Sequence, residues 1–379
     1  MRTYLIHTQT IGGHQLEYLH HLYMGALGKT DDSFVFVVPQ RFKDDSCRLV
    51  WPVADHIVVD VMKDGEEPPL DCGLLKKGWI NSRTIRNYCN KYHATDVITI
   101  SIMEYLPYLP FLVRNVRFSG IVYRIYLYEW TEESWSMRLQ DVLKYWIISK
   151  FRVFHRTFIC NDSASAQCLN RLYKTNKFQM MPDPVSSLQS YVGQDLRNEL
   201  GISKEKICFL HPGSMNSYKN TVGILKALML LDDKSCKDIV VIFAGQVSKD
   251  IKEEFDSLYS KVSSRVQAFL FDGYLTFEKM ADLFATCDYV LVPYKVKSQS
   301  SGIVGHAAYY GKPVIAVHGG VIGKMVRRWH LGNLLENPSA VCICHCIKCV
   351  LDDPICNTQG NSYLESHSKE MFCNTIYCQ

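Results

Sequence analysis

The first half of the chain alternates between short apolar runs and longer segments with helical periodicity. Apolar runs of roughly four to eight residues between turn residues are typical of buried strands, and apolar positions repeated every three or four residues are typical of helices. The pattern predicts helices at Gln15–Leu27 and Ile80–Tyr92. The predicted strands are Tyr4–His7, Phe34–Val38, His56–Val61, Asp96–Ile102, Gly120–Leu127 and Thr157–Cys160.

Pro182 and Pro184 interrupt this alternation, because proline excludes a continuing helix. The alternation then restarts. The predicted strands are Ile207–Leu210, Ile239–Ala244, Phe269–Phe271, Tyr289–Pro293 and Val314–Val317, and the predicted helices are Asn220–Leu231, Ile251–Val262, Phe277–Ala285, Gly302–Tyr310 and, in the tail, Ser362–Tyr377. We therefore predict an α/β protein with two doubly wound, Rossmann-like parallel-sheet domains. Their expected bounds are 1–184 and 185–354, followed by a helical tail at 355–379. Because ligands bind at the carboxyl ends of such strands, a cleft between the domains is the expected site.

Composition narrows the class of protein. The 379 residues are 47% hydrophobic and 21% charged, as in ordinary globular proteins, and the net charge of +4 does not indicate nucleic-acid binding. No apolar run reaches the ~20 residues of a membrane span. The first residues, Met1–His7, are interpreted as a strand rather than a secretory signal. The 15 cysteines are therefore expected to be reduced thiols in a cytoplasmic protein.

Seven cysteines follow position 340, and four of them flank His345 in one short segment. A zinc cluster is one interpretation. A helix is preferred, because Cys342, Cys346 and Cys349 fall at i, i+4 and i+7 and free cysteine packs as a small apolar residue. A zinc site normally takes ligand pairs from two separate segments. No metal is expected.

Four motifs follow one another between Leu210 and Leu331. They are Pro212–Asn220 after a strand, Val241–Gly245, Asp272–Leu275 with the later Cys287–Pro293, and Ser300–Ala316. In this order they resemble the donor-binding domain of the family-four GT-B glycosyltransferases, the glycosyl transferases group 1. Thr10–His14 is similar to the glycine-rich turn after the first strand of that family, so the resemblance spans nearly the whole chain.

The resemblance implies the GT-B architecture, with the tail helix returning to the N-terminal domain. It implies transfer of a sugar from a nucleotide-sugar donor, a UDP- or GDP-sugar, to a polysaccharide or glycolipid acceptor, without a cofactor or a metal. The transfer is expected to retain the anomeric configuration. Such a reaction needs no protein nucleophile, because the leaving phosphate can take the proton of the acceptor.

Departure of the leaving group places negative charge on a nucleoside diphosphate, which positioned donors stabilise. Lys219 is expected to contact this phosphate, because it precedes a helix whose free N–H groups add positive potential. The ordinary alternative is a solvated lysine. The donor-binding residues implied by the resemblance are Gly12, Gly13, Ser214, Gly273, Tyr274, Leu275, Ser300, Ser301, Gly302, Ile303 and His306. The turn at Ser300 can equally be a plain helix N-cap, Gly12–Gly13 a tight turn and Gly273–Leu275 a plain loop.

The chain departs from the family pattern at residues that hold the donor. Ser298 and His306 occupy the positions of two glutamates, the second of which usually grips the ribose hydroxyls. Ser214 replaces an arginine that often accompanies the phosphate lysine, and Gly323 replaces a common acid. These departures leave the donor open and make an inactive member conceivable.

Two other functions therefore remain. One is a non-catalytic nucleotide-sugar-binding subunit, which the missing glutamates favour. The other is a nucleotide-sugar epimerase, which needs acids and bases; the candidates, all on the acceptor side, are His14, Glu104 and Glu129.

Positive charge is concentrated between Arg138 and Lys177, a segment that contains eight Lys and Arg residues and only two acidic residues. Within it, Leu143–Arg156 mixes cations with aromatic residues and is predicted to be helical. Such a helix can lie on an anionic membrane surface, and the protein would then be peripheral at the inner face of the membrane. A helix with one buried face and solvated charges explains the pattern equally well.

Overall fold

The structure is a computed structural model that describes residues 1–11, 14–69, 71–185, 196–355 and 358–377. It divides into two compact units. Unit 1 comprises Met1–Pro182 with Lys369–Gln379, and unit 2 comprises Asp183–Ser368. Each unit has its own parallel sheet, which confirms the predicted α/β class.

Unit 1 is built on a parallel sheet in which the described residues form seven strands, in the order β3-β2-β1-β4-β5-β6-β7. The strands are β1 (Thr3–His7), β2 (Ser33–Val38), β3 (Ile57–Val61), β4 (Asp96–Thr99), β5 (Arg117–Val122), β6 (Phe154–Cys160) and β7 (Phe178–Met181). The helices are α1 (His14–Leu27), α2 (Phe42–Asp45), α3 (Leu74–Tyr92), α4 (Leu109–Leu112), α5 (Trp135–Lys150) and α6 (Ser163–Tyr173). Short 3-10 turns lie at Ser46–Arg48, Ile102–Tyr105 and Tyr126–Tyr128.

Unit 2 has a parallel sheet in the order β10-β9-β8-β11-β12-β13. Its strands are β8 (Ile207–Pro212), β9 (Ile239–Ala244), β10 (Gln267–Phe271), β11 (Tyr289–Val292), β12 (Val314–Val317) and β13 (Gly332–Leu335). Its helices are α7 (Leu196–Glu199), α8 (Thr221–Met229), α9 (Asp233–Asp238), α10 (Lys252–Ser263), α11 (Phe277–Thr286), α12 (Gly302–Tyr309), α13 (Gly320–Arg328), α14 (Ala340–Asp352) and α15 (Gly360–Ser366).

The end of the chain forms a last helix, α16 (Lys369–Tyr377), which packs in unit 1. Phe372, Ile376 and Tyr377 are buried in the core of this unit with α1. The hydroxyl of Tyr377 donates a hydrogen bond to the carbonyl of Leu22 at 2.7 Å. The last residues of the chain therefore complete a core that its first residues begin.

The prediction of a single helix over Ser362–Tyr377 is wrong, because the helix is interrupted between α15 and α16. His367 leaves the helical conformation, with φ −119° and ψ 30°. Its carbonyl accepts a hydrogen bond from the amide of Val185 at 3.0 Å instead of one from a helical turn.

Other predicted boundaries also move. The strand predicted at Gly120–Leu127 is β5, Arg117–Val122. Gly120 lies inside this strand, and its lack of a side chain is needed there, because a Cβ would be 2.4 Å from Cγ2 of Thr99. The helix predicted over Leu143–Arg156 ends at Lys150, and Phe154 already belongs to β6. Strands β7 and β13 were not predicted, since the middle residues of β7 are not buried and β13 begins with glycine and asparagine.

The cysteine-rich segment is helix α14, as preferred from its spacing. Cys344 is buried, and Cys349 is exposed with its Sγ 3.6 Å from Nε2 of His345. Among the described residues, no three His, Cys, Asp or Glu side chains are grouped in a way that could hold a metal ion. In the same residues, no helix is both long and apolar enough to cross a membrane.

Candidate donor site

The candidate site begins where the chain changes direction across the sheet of unit 2. Strands β8, β9 and β10 extend the sheet one way, and β11, β12 and β13 extend it the other way from β8. The loops after β8 and β11 therefore leave neighbouring strands at the same edge. Ligands of open parallel sheets bind at this kind of reversal point.

The loop after β8 depends on two glycines. Gly213 has φ +85°, a conformation that other residues avoid, and its amide donates to the carbonyl of Ala244 at 2.8 Å. Gly245, after the adjacent β9, approaches so closely that a Cβ on it would lie 2.2 Å from the carbonyl oxygen of Gly213. The sequence Pro212-Gly213 thus makes a tight turn that exposes backbone at the edge of the sheet.

Lys219 places its ammonium against this turn. A Cβ built on Gly213 would be 2.5 Å from Nζ of Lys219, so the absence of a side chain there makes room for the cation. Nζ lies 3.5 Å from the carbonyl oxygen of Pro212 and 5.4 Å from the ring centroid of Tyr294. The side chain is half-buried, and no carboxylate of the described residues forms an ion pair with it. Within the described part of the chain, it is a positioned cation without a counter-ion.

Helix α12 starts beside this lysine. A Cβ on Gly213 would lie 3.9 Å from Cδ1 of Ile303, which is in the first turn of α12. Ser301 occupies the N-cap position in an extended conformation, and its side chain makes no capping hydrogen bond. Gly302 is exposed. Ser300 is held to one side, since its hydroxyl donates to Oδ2 of Asp183 at 3.0 Å. The positive end of α12 and the ammonium of Lys219 are therefore neighbours.

His306 lies one turn further along α12. Its Nδ1 is buried and has no hydrogen-bond partner among the described residues, and its ring centroid is 5.8 Å from that of Phe284. Burial lowers the pKa of His306 to about 4, although the negative charge of Asp183 acts in the opposite direction. The imidazole is therefore neutral at pH 7, with one ring nitrogen unused. Ser298, the other position that departs from the family pattern, is fully buried.

The sequence of this unit resembles a known family. Residues 193–364 match the family model described as glycosyl transferases group 1. This segment, somewhat under half of the chain, is similar to the group 1 glycosyltransferases. No curated protein sequence matches the chain significantly.

Solved structures agree on the fold of the whole chain. The sucrose-phosphate synthase of Thermosynechococcus elongatus is 15% identical, with a TM-score of 0.73 over 99% of this chain and 97% of its own. WaaG, a glycosyltransferase involved in lipopolysaccharide biosynthesis, is 12% identical, with a TM-score of 0.71 over the whole of both chains. HepE of Anabaena, in complex with UDP and glucose, is 14% identical, with a TM-score of 0.69 over 99% of this chain and 98% of its own. The fold is that of the GT-B glycosyltransferases.

The other predicted donor residues lie on two loops of unit 2. Ser214 is exposed, and its Oγ accepts a hydrogen bond from Nδ2 of Asn216 at 3.3 Å. Gly273 has φ +120° and follows β10 at the outer edge of the sheet, two strands away from β8. Tyr274 is exposed and Leu275 half-buried. These residues stay predictions for the base-binding loop.

The structure says less about the site residues predicted in unit 1 than about those in unit 2. Gly12 and Gly13 lie outside the described residues, and His14 begins α1 with a side chain that is not described. Glu104 forms an ion pair with Lys77 at 3.2 Å. Glu129 forms one with Arg124 at 2.9 Å. Both carboxylates are already engaged with cations of their own unit.

Two residues of the site were missed from sequence. Tyr294 follows Pro293 at the end of β11, and its buried hydroxyl has no partner among the described residues. His211 is buried in β8 beneath the Gly213 turn, 3.0 Å from the carbonyl of Leu291 and 3.0 Å from Oγ1 of Thr221. Burial lowers the pKa of His211 to about 4, so it is a neutral link between β8, β11 and the start of α8. The sequence did place His211 and Tyr294 each directly after a predicted strand, and these positions were the signal from which both residues could have been assigned to the site.

Proposed function

We propose that this protein transfers a sugar from a nucleoside-diphosphate sugar to a glycan or glycolipid acceptor with retention of the anomeric configuration. The observation that carries the proposal is the half-buried ammonium of Lys219, which has no carboxylate partner among the described residues and lies against Gly213 near the start of α12. An unpaired, partly desolvated cation next to a helix N-terminus suits an anionic ligand.

The chemistry assigns these groups a common task. The bond between the anomeric carbon and the phosphate oxygen breaks, and the diphosphate takes the electron pair. The ammonium of Lys219 and the first N–H groups of α12 would stabilise that charge, which is larger in the transition state than in the bound donor. The acceptor oxygen bonds to the anomeric carbon from the face that the phosphate leaves, and its proton passes to a phosphate oxygen. No metal is required, since the protein supplies the positive charge.

UDP is the preferred nucleotide of the proposal, ahead of GDP. HepE of Anabaena binds UDP and glucose in its solved complex, and a neighbour from Burkholderia vietnamiensis is an α,α-trehalose-phosphate synthase described as UDP-forming. Gly273, Tyr274 and Leu275 are the proposed base contacts. His306 is the proposed ribose contact, through a single hydrogen bond where a glutamate would accept two.

The acceptor is proposed to be a growing polysaccharide or a lipid-linked glycan, reached from the cytoplasmic side of a membrane. Gly12 and Gly13 are proposed to approach the donor phosphates, and His14 the acceptor. Glu104 and Glu129 are weaker candidates, because the ammonium of Lys77 and the guanidinium of Arg124 already neutralise them.

A non-catalytic nucleotide-sugar-binding subunit is the second candidate. The buried Ser298 and the neutral His306 favour it, because neither can replace a glutamate that contacts a donor by charge. A nucleotide-sugar epimerase is less well supported, since the two carboxylates that it would use are the ion-paired Glu104 and Glu129.

Two measurements separate these functions. UDP, GDP, ADP and their sugars are compared by thermal shift, because a ligand that binds only the folded state raises its stability. The nucleotide sugar with the largest shift is then incubated with glycan and lipid-linked acceptors. Sugar transferred to an acceptor supports the proposal, and a thermal shift without turnover supports the binding subunit. Free epimer supports the epimerase, and no shift with any nucleotide contradicts all three.

A further inference from the structure

Helix α5 presents a row of apolar side chains to solvent. Trp135, Leu139, Leu143 and Trp146 lie at i, i+4, i+8 and i+11 and therefore share one face. Their exposed fractions lie between 45% and 76%. A surface helix normally buries such a row. Contiguous exposed apolar side chains of this size mark an interaction surface.

The row continues beyond the helix. The ring centroid of Trp146 is 6.4 Å from that of Phe151, and Phe151 is 5.5 Å from Phe111 of α4. Phe111 is 63% exposed. We refer to Trp135, Leu139, Leu143, Trp146 and Phe111 together as the apolar row.

Cations gather at the Phe111 end of the apolar row. A cavity of about 440 Å³ there is lined by Phe111, Arg86, Asn90, Arg114 and Asn115, and no described carboxylate lines it. Arg86 and Arg114 are exposed and form no ion pair with any described residue. Two guanidinium groups and two amides around one cavity match the oxygens of a phosphate.

Acidic side chains near α5 do not cancel this charge. Asp141 is buried on the opposite face of the helix, and its Oδ2 accepts from Arg124 at 2.9 Å. Glu133 is also paired with Arg124. Glu132 is exposed but lies at the other end of the row, before Trp135. The row is thus apolar along the helix and cationic at its Phe111 end.

We propose that the apolar row docks on the surface of an anionic lipid bilayer. The two tryptophans, the leucines and Phe111 enter at the depth of the headgroups, where aromatic side chains are favoured. Arg86 and Arg114 bind a lipid phosphate in the cavity beside Phe111. A second copy of this chain would cover the apolar row but leave the cavity, with Arg86 and Arg114, without an anion.

The inference rests on the proposed function in one respect, since it assigns the acceptor to a lipid surface. The proposed base and ribose contacts are in unit 2 and vesicle binding is assigned to unit 1, so UDP binding and vesicle binding are measured separately. Loss of the UDP thermal shift with intact vesicle binding would contradict the proposed donor. Intact UDP binding without vesicle binding would contradict this inference alone.

The test is flotation of the full chain with vesicles of phosphatidylcholine, with and without about one-third phosphatidylglycerol. We expect binding to the anionic vesicles that weakens as salt rises from about 0.1 to about 0.5 M. The variant Leu139→Gln/Leu143→Gln/Trp146→Gln should lose binding by roughly tenfold or more per residue. The variant Arg86→Gln/Arg114→Gln should lose roughly fivefold per charge, on anionic vesicles only.

Matched controls come from unit 2. Leu230→Gln/Val341→Gln removes two similarly exposed apolar side chains, and Lys237→Gln/Lys261→Gln removes two exposed cations; neither should change flotation. Far-UV circular dichroism and the melting temperature of each variant check that it is folded, and Leu139→Gln alone serves if the triple variant is not. Unchanged flotation of the triple variant, or of the single one in its place, overturns the inference. So does a dimer in light scattering that the Leu139→Gln change dissolves while no variant binds vesicles.

Discussion

Lys219 and Lys226 are close in sequence but differ in their surroundings. Lys226 lies on the exposed face of α8 and pairs with Glu254 at 2.8 Å. Lys219 is half-buried against Gly213 and has no such partner among the described residues. A cation held in place without a counter-ion costs stability in the empty protein, and a bound diphosphate would repay that cost.

Lys219→Ala is therefore expected to lower transfer by about 3 kcal/mol in transition-state stabilisation, roughly a hundredfold in rate. The fold should be preserved, because no ion pair is broken. The measurement is kcat and KM with the nucleotide sugar chosen by thermal shift. Lys226→Ala is the control on the same unit and should leave both constants unchanged. Equal turnover of Lys219→Ala and the unaltered protein would identify Lys219 as a surface charge.

His306 carries a second prediction. Its buried Nδ1 lacks a partner among the described residues, and its low pKa keeps the ring neutral. His306→Glu should tighten UDP binding by ~1 kcal/mol, because a carboxylate can accept from both ribose hydroxyls in charge-assisted hydrogen bonds. His306→Ala should weaken it. Calorimetry with UDP measures both variants, and the same affinity in all three proteins would show that His306 serves only to pack α12 against Phe284.

At the scale of elements, the Gly213 turn joins three pieces: the end of β8, Lys219 and the start of α12. Gly213→Ala should impair the turn in two ways. The φ of +85° costs about 1–2 kcal/mol for a residue with a side chain, and the added Cβ would displace the ammonium of Lys219. We expect both lower stability and weaker UDP binding, measured by thermal shift with and without UDP.

Gly311 provides the matched control for this change. It has φ +64° at the end of the same helix α12, and a Cβ there would meet nothing within 4 Å. Gly311→Ala should therefore lower the melting temperature by a similar amount and leave the UDP shift intact. If both alanine variants bind UDP equally well, the position of the Lys219 ammonium next to Gly213 does not matter for the donor.

The strands and helices also show which parts of the fold could be predicted from the sequence. Strands β9 and β12 have the predicted bounds, because each is an unbroken apolar run buried on both faces. The start of α12 at Gly302 was likewise predicted from its serine and glycine residues. β7 was missed because Phe178–Met181 is short and its two middle residues, Gln179 and Met180, are not buried. Tyr294 was missed because its role depends on β8 and β11 being neighbours, which is a tertiary fact.

At the scale of the whole molecule, unit 1 is built from two separate segments of the chain, Met1–Pro182 and Lys369–Gln379. The apolar periodicity of the tail was visible in the sequence, but the break at His367 was not, since it depends on the hydrogen bond from the amide of Val185. That bond fixes the end of α15 within unit 2. The next residues, α16, then bury Phe372 in unit 1 with its ring centroid 5.2 Å from that of Tyr18.

Phe372→Ala is expected to destabilise unit 1 by about 3–5 kcal/mol, because the fully buried ring would leave a cavity between α1 and α16. Urea unfolding followed by tryptophan fluorescence suits this test, since Trp51, Trp79, Trp130, Trp135 and Trp146 belong to unit 1 and Trp329 alone to unit 2. Met371→Ala, at an exposed neighbouring position, should change the midpoint little. The UDP shift should survive in both variants, because Lys219 and the proposed base and ribose contacts are in unit 2. A midpoint for Phe372→Ala equal to that of Met371→Ala would mean that α16 adds nothing to the stability of unit 1, and that the tail merely rests on a core already complete without it.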